Sequence, residues 1–212
     1  MGISRWRLDG QTALVTGASA GIGLAITTEL LDLGADVLMV ARDADALEAA
    51  RDELAEQYPQ QALHALAADV SLDSERHEII DWVRDSADGL HLLINNAGGN
   101  LTLPATDYAP AQWRQIFETN LFSAFELCRG AHPLLARHGA SAIVNVGSVS
   151  GLTHVRSGAV YGMSKAAMHQ MTRNLACEWA EDGIRVNSVA PWYIRTRRTS
   201  GPLSDADYYE EV

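Results

Sequence analysis

Cysteine, basic side chains and long apolar runs are all scarce in this chain of 212 residues. Two cysteines, Cys128 and Cys177, make no disulfide framework, and neither has metal-ligand spacing to other residues. Both fall among apolar neighbours in helix-like stretches. That predicts buried free thiols, no metal, and a reduced, cytoplasmic setting. Sixteen Lys and Arg stand against 27 Asp and Glu, a formal net charge of −11. Nucleic acid is excluded as a partner, because phosphate backbones need a basic footprint. A small anion is not excluded, since helix dipoles and single arginines hold one against the global field. No apolar run is long enough to span a membrane, and the start of the chain lacks the apolar centre of a signal peptide.

With 47% hydrophobic and 20% charged residues, the composition is that of a soluble globular protein. There is no internal repeat, low-complexity tract or linker, so residues 1–212 are expected to form a single domain. Short apolar strands are predicted at 12–16, 36–41, 63–68, 90–95, 142–147 and 184–190. Amphipathic helices are predicted between them at 21–33, 44–57, 72–85, 111–128 and 159–181. The run from Asp36 to Ala41 is almost wholly apolar, as expected of a strand covered on both faces. Strict alternation of strand and helix predicts an α/β fold, a doubly wound parallel sheet of Rossmann type. The stretch 195–205 reads as an exposed loop, with Arg195, Arg197 and Arg198 as a solvated basic cluster on a mobile lid.

The first strand runs into Thr16-Gly17-Ala18-Ser19-Ala20-Gly21-Ile22-Gly23. Glycines at a strand-to-helix turn let backbone N–H groups approach a pyrophosphate, and the next helix aims its positive end at the same place. The second strand ends in Ala41-Arg42, where an acid would favour a free ribose hydroxyl. A guanidinium there suits a 2′-phosphate, which predicts NADP(H) over NAD(H). Asp69, closing the third strand, is placed either to accept from an adenine amino group or to cap the next helix.

Tyr161 and Lys165 are four residues apart, so on a helix they share a face. A nearby cation favours the phenolate and brings tyrosine closer to a useful range for proton transfer. Asn120 lies on an otherwise apolar stripe with Trp113, Ile116, Phe117, Leu121 and Ala124. Such an amide needs partners: either a structural link to nearby backbone, or a water that relays protons to Lys165. Ser148 follows the apolar strand ending at Val146, at the strand end where active sites of open α/β sheets collect.

Taken in order, Thr16–Gly23, Asp69-Val70, Asn95-Asn96-Ala97-Gly98, Asn120, Ser148, Tyr161 with Lys165, and Pro191 followed by Thr196 resemble the classical short-chain dehydrogenase/reductase family. Ala190-Pro191-Trp192-Tyr193-Ile194 and Cys177-Glu178-Trp179-Ala180 look most like its tropinone-reductase-like branch. The resemblance implies a catalytic set of Asn120, Ser148, Tyr161 and Lys165. It implies cofactor contacts from Gly17, Ser19, Ala20, Gly21, Ile22 and Gly23, from Arg42, Asp69 and Val70, and from Asn96 and Gly98. Tyr161, Lys165, Pro191, Ile194 and Thr196 complete that set. The implied activity is hydride transfer between NADPH and a ketone, reversible as an alcohol dehydrogenase, by a homodimer or homotetramer. The chain departs from the pattern at Ala20, where the branch usually has a base, and at Trp192, where the family has glycine. It also stops at Val212, which predicts a sheet without the family's last strand.

Substrate contacts are expected from Ser148, Ser150, His154, Tyr161 and Trp192, with Gly99, Asn100, Arg156 and Tyr193 nearby. The aromatic pair Trp192-Tyr193 suits a ring ketone. Two alternatives stay open: a 3-oxoacyl or hydroxysteroid oxidoreductase, and a non-catalytic NADPH sensor or inactive fragment. The stripe of Met168, Met171, Leu175 and Trp179 reads as core or subunit interface.

Overall fold

The computed structural model describes residues 6–211; Met1–Arg5, Val212 and the Arg198 side chain of the basic cluster lie outside the described residues. Six strands form one parallel sheet: β1 Thr12–Thr16, β2 Asp36–Ala41, β3 Leu63–Ala67, β4 Leu92–Asn95, β5 Ser141–Val146 and β6 Ile184–Val189. Their order is β3-β2-β1-β4-β5-β6. The chain reverses its direction of travel across the sheet between β1 and β4. In open α/β sheets that switch point opens a crevice beyond the strand ends.

Helices α1 Gly21–Asp32, α2 Ala44–Gln57 and α3 Asp73–Ser86 follow β1 to β3, and α6 Ala159–Glu178 joins β5 to β6. Side chains alternate across the strands, so each strand feeds two cores. Ala13, Val15, Val37 and Met39 pack with Leu31 of α1 and Leu47 and Leu54 of α2. Leu14, Leu38 and Ile143 pack on the other side with Ile79 of α3, Leu127 and Leu175. Trp179 and Met171 join that second core, so the α6 stripe is interior packing within one chain. Asp43 caps α2 by accepting the Ala46 N–H at 3.1 Å, so β2 ends at Ala41 and Arg42 stands just past the strand end. No helix among the described residues is long and apolar enough to cross a membrane.

Three expectations need correction. The helix predicted at 111–128 is three pieces: α4 Pro110–Phe117, a π-turn Glu118–Phe122 and α5 Ser123–Ala136. Stripe counting assumes 3.6 residues per turn, and a π-turn inserts extra chain that the pattern hides. The stretch 195–205 is not simply a loop, since it carries α7 Arg197–Ser200 and leads into α8 Ala206–Glu211. Cys177 is exposed, because it shares its side of α6 with Arg173 and Asn174, whereas Cys128 is fully buried. Burial pushes the Cys128 thiol up to about 12, against a smaller opposing effect of the Asn95 amide, and leaves it inert. Strand β6 lies where it was expected and is buried on alternate residues, with Arg185, Asn187 and Val189 exposed.

Strand β4 begins two residues later than predicted because His91 does something other than extend it. Its Nδ1 accepts the Thr12 N–H at 3.1 Å, and its ring stacks on His138 with 4.3 Å between centroids. Removal from water, and then the neighbouring His138, hold the His91 pKa below its ordinary value. A lowered folded value means the unfolded chain takes the proton more readily. The stability due to neutral His91 is therefore full above the unfolded pKa of about 6.5 and is lost as pH falls through the folded one. Urea midpoints measured from about pH 8 to 5 are expected to fall more steeply for the wild type than for His91→Gln. Parallel profiles would exclude this origin of acid sensitivity.

Candidate active site

Tyr161 and Lys165 sit on the first turns of α6, which starts directly after Gly158 at φ 88°. The Lys165 ammonium is 4% exposed, donates to the Val146 carbonyl at 2.7 Å and lies 5.9 Å from the centre of the Tyr161 ring. A buried cation needs such an acceptor, and the end of β5 supplies it. Lys165 is also the only lysine in the sequence. Ser148 follows β5, and its Oγ accepts the Ser150 N–H at 3.1 Å, capping the short 3-10 turn Val149–Gly151.

Asn120 is fully buried in the π-turn. Its Oδ1 accepts the Gly99 N–H at 2.7 Å. Its Nδ2 donates to the Gly99 carbonyl at 2.9 Å and to Ser164 Oγ at 3.1 Å. Ser164 in turn donates to the Tyr161 carbonyl at 2.8 Å. The structural link to backbone is therefore present, and it ties the loop after β4 to the first turn of α6. Ser164, which the sequence pattern does not single out, is the joint; a buried serine beside a lysine carries no signal on its own. Gly98 completes this floor, because a Cβ there would lie 3.3 Å from Asn120 Oδ1 and 3.6 Å from Lys165 Nζ.

The glycine turn lies beside it. Gly17 and Gly21 have φ of 65° and 58°, where side chains are strained. Asn96 Nδ2 donates to the Thr16 and Gly17 carbonyls at 2.9 and 3.2 Å, fixing the turn against the loop after β4. A Cβ on Gly21 would come within 3.3 Å of the Thr196 methyl, so the segment after β6 arches over the turn. At the start of α1, Ala20 provides no side-chain cap, which leaves the N–H groups of the first turn to an outside acceptor such as a phosphate. Arg42 and Asp69 stand farther along the strand ends, 3.6 Å apart, with Arg42 68% exposed. Asp69 also accepts the Ser71 N–H at 2.9 Å, so it serves as a local cap as well. Val70 is buried beside it.

A cavity of about 1000 Å³ joins these parts. Ile22, Asn96 and Gly98 line it together with Ser148, Tyr161 and Lys165 and with Pro191, Ile194 and Thr196. Asn100, Ser150, Arg156, Trp192, Tyr193 and Tyr208 line it as well. Trp192 stacks edge-on against Tyr193, which stacks edge-on against Tyr208 and shares a hydroxyl–hydroxyl contact with it. The indole that replaces the expected glycine thus builds an aromatic wall. Tyr208 belongs to α8, and no motif announces it. His154 is not brought into this cavity; it is exposed on a separate hollow of about 350 Å³. The rest of the glycine turn, with Gly17, Ser19, Ala20, Gly21 and Gly23, does not line this cavity, and neither do Arg42, Asp69 and Val70.

Comparison with known proteins agrees with this geometry. A family profile described as short chain dehydrogenase matches residues 11–205. A tropinone reductase homolog of Arabidopsis thaliana is 42% identical over 209 residues, 98% of this chain and 78% of the relative. A putative short-chain alcohol dehydrogenase from Sinorhizobium meliloti superposes with a TM-score of 0.91 at 36% identity, covering 97% of this chain and 81% of that one. L-sorbose reductase from Gluconobacter frateurii, complexed with NADPH and L-sorbose, gives 0.89 at 29% identity, covering 97% and 80%.

Proposed function

The chain belongs to the short-chain dehydrogenase family of oxidoreductases, and from that premise we propose that it is an NADPH-dependent, tropinone-reductase-like ketone reductase, reversible as an alcohol dehydrogenase. The observation that carries this reading is the buried Lys165 ammonium beside Tyr161, in one cavity with Ser148. NADPH, when bound, supplies the hydride. Its phosphates suit the uncapped start of α1 and the glycine turn, and Asn96 and Gly98 shape the floor beneath its adenosine half. Pro191, Ile194 and Thr196 suit the nicotinamide half.

Tyr161 gives its hydroxyl proton to the carbonyl oxygen as that oxygen becomes an alkoxide. The Lys165 charge favours the phenolate left behind. Ser148 Oγ donates to the same oxygen and stabilises the charge that develops there. Asn120 holds the loop and the helix turn in register, and its part in a proton relay to Lys165 rests on the one lone pair of Oδ1 that Gly99 leaves. Trp192, Tyr193 and Tyr208 form a wall that suits the apolar body of a ring ketone. Exposed Trp113, Phe122 and Phe125 on α4 to α5 support a homodimer or homotetramer, and the two free cysteines suit a reduced, cytoplasmic setting.

Cofactor choice rests on Arg42. A 2′-phosphate would compete with Asp69 for its guanidinium, and Ala20 brings no second cation. Fluorescence titration is expected to show tighter binding of NADPH than of NADH, with ketone-dependent oxidation of NADPH across a panel of cyclic ketones. Arg42→Ala is expected to weaken NADPH about tenfold, the loss of one charge-assisted contact, and to leave NADH nearly unchanged. Equal weakening of both would remove Arg42 as the selector. Binding without turnover on any ketone would favour the sensor reading.

A further inference from the structure

Directly behind Ser148 lies a histidine with no place in the scheme above. His169, on α6 one turn after Lys165, is 5% exposed. Its Nε2 is 3.1 Å from the Ser148 carbonyl oxygen, and its Nδ1 is 2.7 Å from Ser188 Oγ on β6. A carbonyl oxygen only accepts, so Nε2 must carry the proton; a neutral ring then accepts the Ser188 hydroxyl at Nδ1. That pair of bonds sets one tautomer and one ring orientation. The chain has made room for the ring: a Cβ on Gly147 would lie 2.3 Å from His169 Cε1, and one on Gly151 would lie 2.9 Å from His169 Cδ2. The two glycines bracket Ser148 in sequence.

We infer that His169 is a positioning residue for Ser148: it clamps the backbone of the Ser148 turn to α6 and β6, and so aims the serine hydroxyl at the substrate oxygen. The physical need is plain. Gly147 and Gly151 make the turn compliant, while an oxyanion donor works only when its hydrogen bond is held ready in advance. Backbone bonds tie the turn to β6 and the segment after it, from the Gly147 N–H to the Val189 carbonyl at 2.8 Å and from the Val149 N–H to the Pro191 carbonyl at 3.2 Å, and Ser157 Oγ donates to Ser150 Oγ at 2.8 Å. Without His169, the Ser148 carbonyl and the Ser188 hydroxyl both lose a buried partner, and the side-chain tie from the body of α6 to the Ser148 backbone is gone. The catalytic consequence rests on the proposed role of Ser148; the clamp itself does not.

Three variants test it. His169→Leu removes both bonds, His169→Gln keeps a donor and an acceptor, and Ser188→Ala removes the bond at Nδ1 while leaving the ring and its bond to the Ser148 carbonyl. His169→Leu is expected to lower kcat for ketone reduction about ten- to a hundredfold, with the Kd for NADPH within about twofold. His169→Gln is expected to recover most of that loss, and Ser188→Ala to lose less than His169→Leu. In a Ser148→Ala background, His169→Leu is expected to cost little more, because both act through one hydroxyl. Additive losses, or unchanged kcat in His169→Leu, would overturn the proposal. Amide hydrogen exchange over residues 147–152 is read in parallel and needs no turnover. Exchange about tenfold faster there in His169→Leu is expected, and unchanged exchange would refute the clamp. If the wild type reduces no ketone yet the variant loosens this turn, the proposed function fails and the clamp stands.

Discussion

Replacing Tyr161 by Phe is expected to reduce ketone turnover about a thousandfold, within the range for losing a general acid, while NADPH binds as before. The phenol is half-buried at the middle of the cavity and the substitution removes one oxygen, so packing on α6 is preserved. Lys165 keeps its bond to the Val146 carbonyl, and the ring over which it lies is retained. A pure loss in kcat, with cofactor affinity and unfolding midpoint within error of the wild type, is therefore the expected signature. The measurement is NADPH oxidation at saturating cofactor, paired with fluorescence titration. Activity within tenfold of the wild type would take the proton-donor role away from Tyr161.

Gly23→Ala is expected to have the second-largest effect, on both stability and cofactor binding. Gly23 is buried in the first turn of α1 with ordinary helical geometry, so strain in φ is not the reason. The reason is contact. An added Cβ would sit 2.1 Å from the Gly17 carbonyl oxygen and 2.5 Å from Asn96 Nδ2. Backbone on one side and a hydrogen-bonded amide on the other cannot yield without displacing the glycine turn. A methyl group forced into such a site costs about 1–3 kcal/mol, a fall in Tm of several degrees for a domain of this size. NADPH affinity is expected to drop at least about tenfold, since the displaced N–H groups are those proposed to face the phosphates. Gly139→Ala is the control. That glycine has φ 62°, and a methyl group there would meet nothing within 4 Å, so the substitution is strained but remote from the cavity. It is expected to lose stability by about 1 kcal/mol and to bind NADPH normally. Wild-type affinity in Gly23→Ala would mean that this turn is not the phosphate cradle.

Much of this architecture is legible in the order of residues. β1, β2 and α2 begin and end where the pattern of apolar residues puts them. Tyr161 and Lys165 share one helix face because four residues make nearly one turn. These features are local: they depend on residues a few positions apart. The π-turn at Asn120 and the helices after Thr196 are not legible in that way. In each case the deciding neighbour lies far along the chain or the local period is broken.

The sequence by itself determined the order of strands and helices, the glycine turn and the chemical groups at the strand ends, since propensity, periodicity and spacing act over short range. Only the tertiary structure decided what those groups touch. It set Asp69 beside Arg42, bound both ends of the Asn120 amide to Gly99 and Ser164, brought Tyr208 against Tyr193, kept His154 outside the main cavity, and put His169 behind Ser148. Such contacts join residues up to 44 positions apart. They arise because a parallel sheet gathers the ends of distant strands at one edge, and buried polar groups gathered there must find partners among whatever the fold delivers.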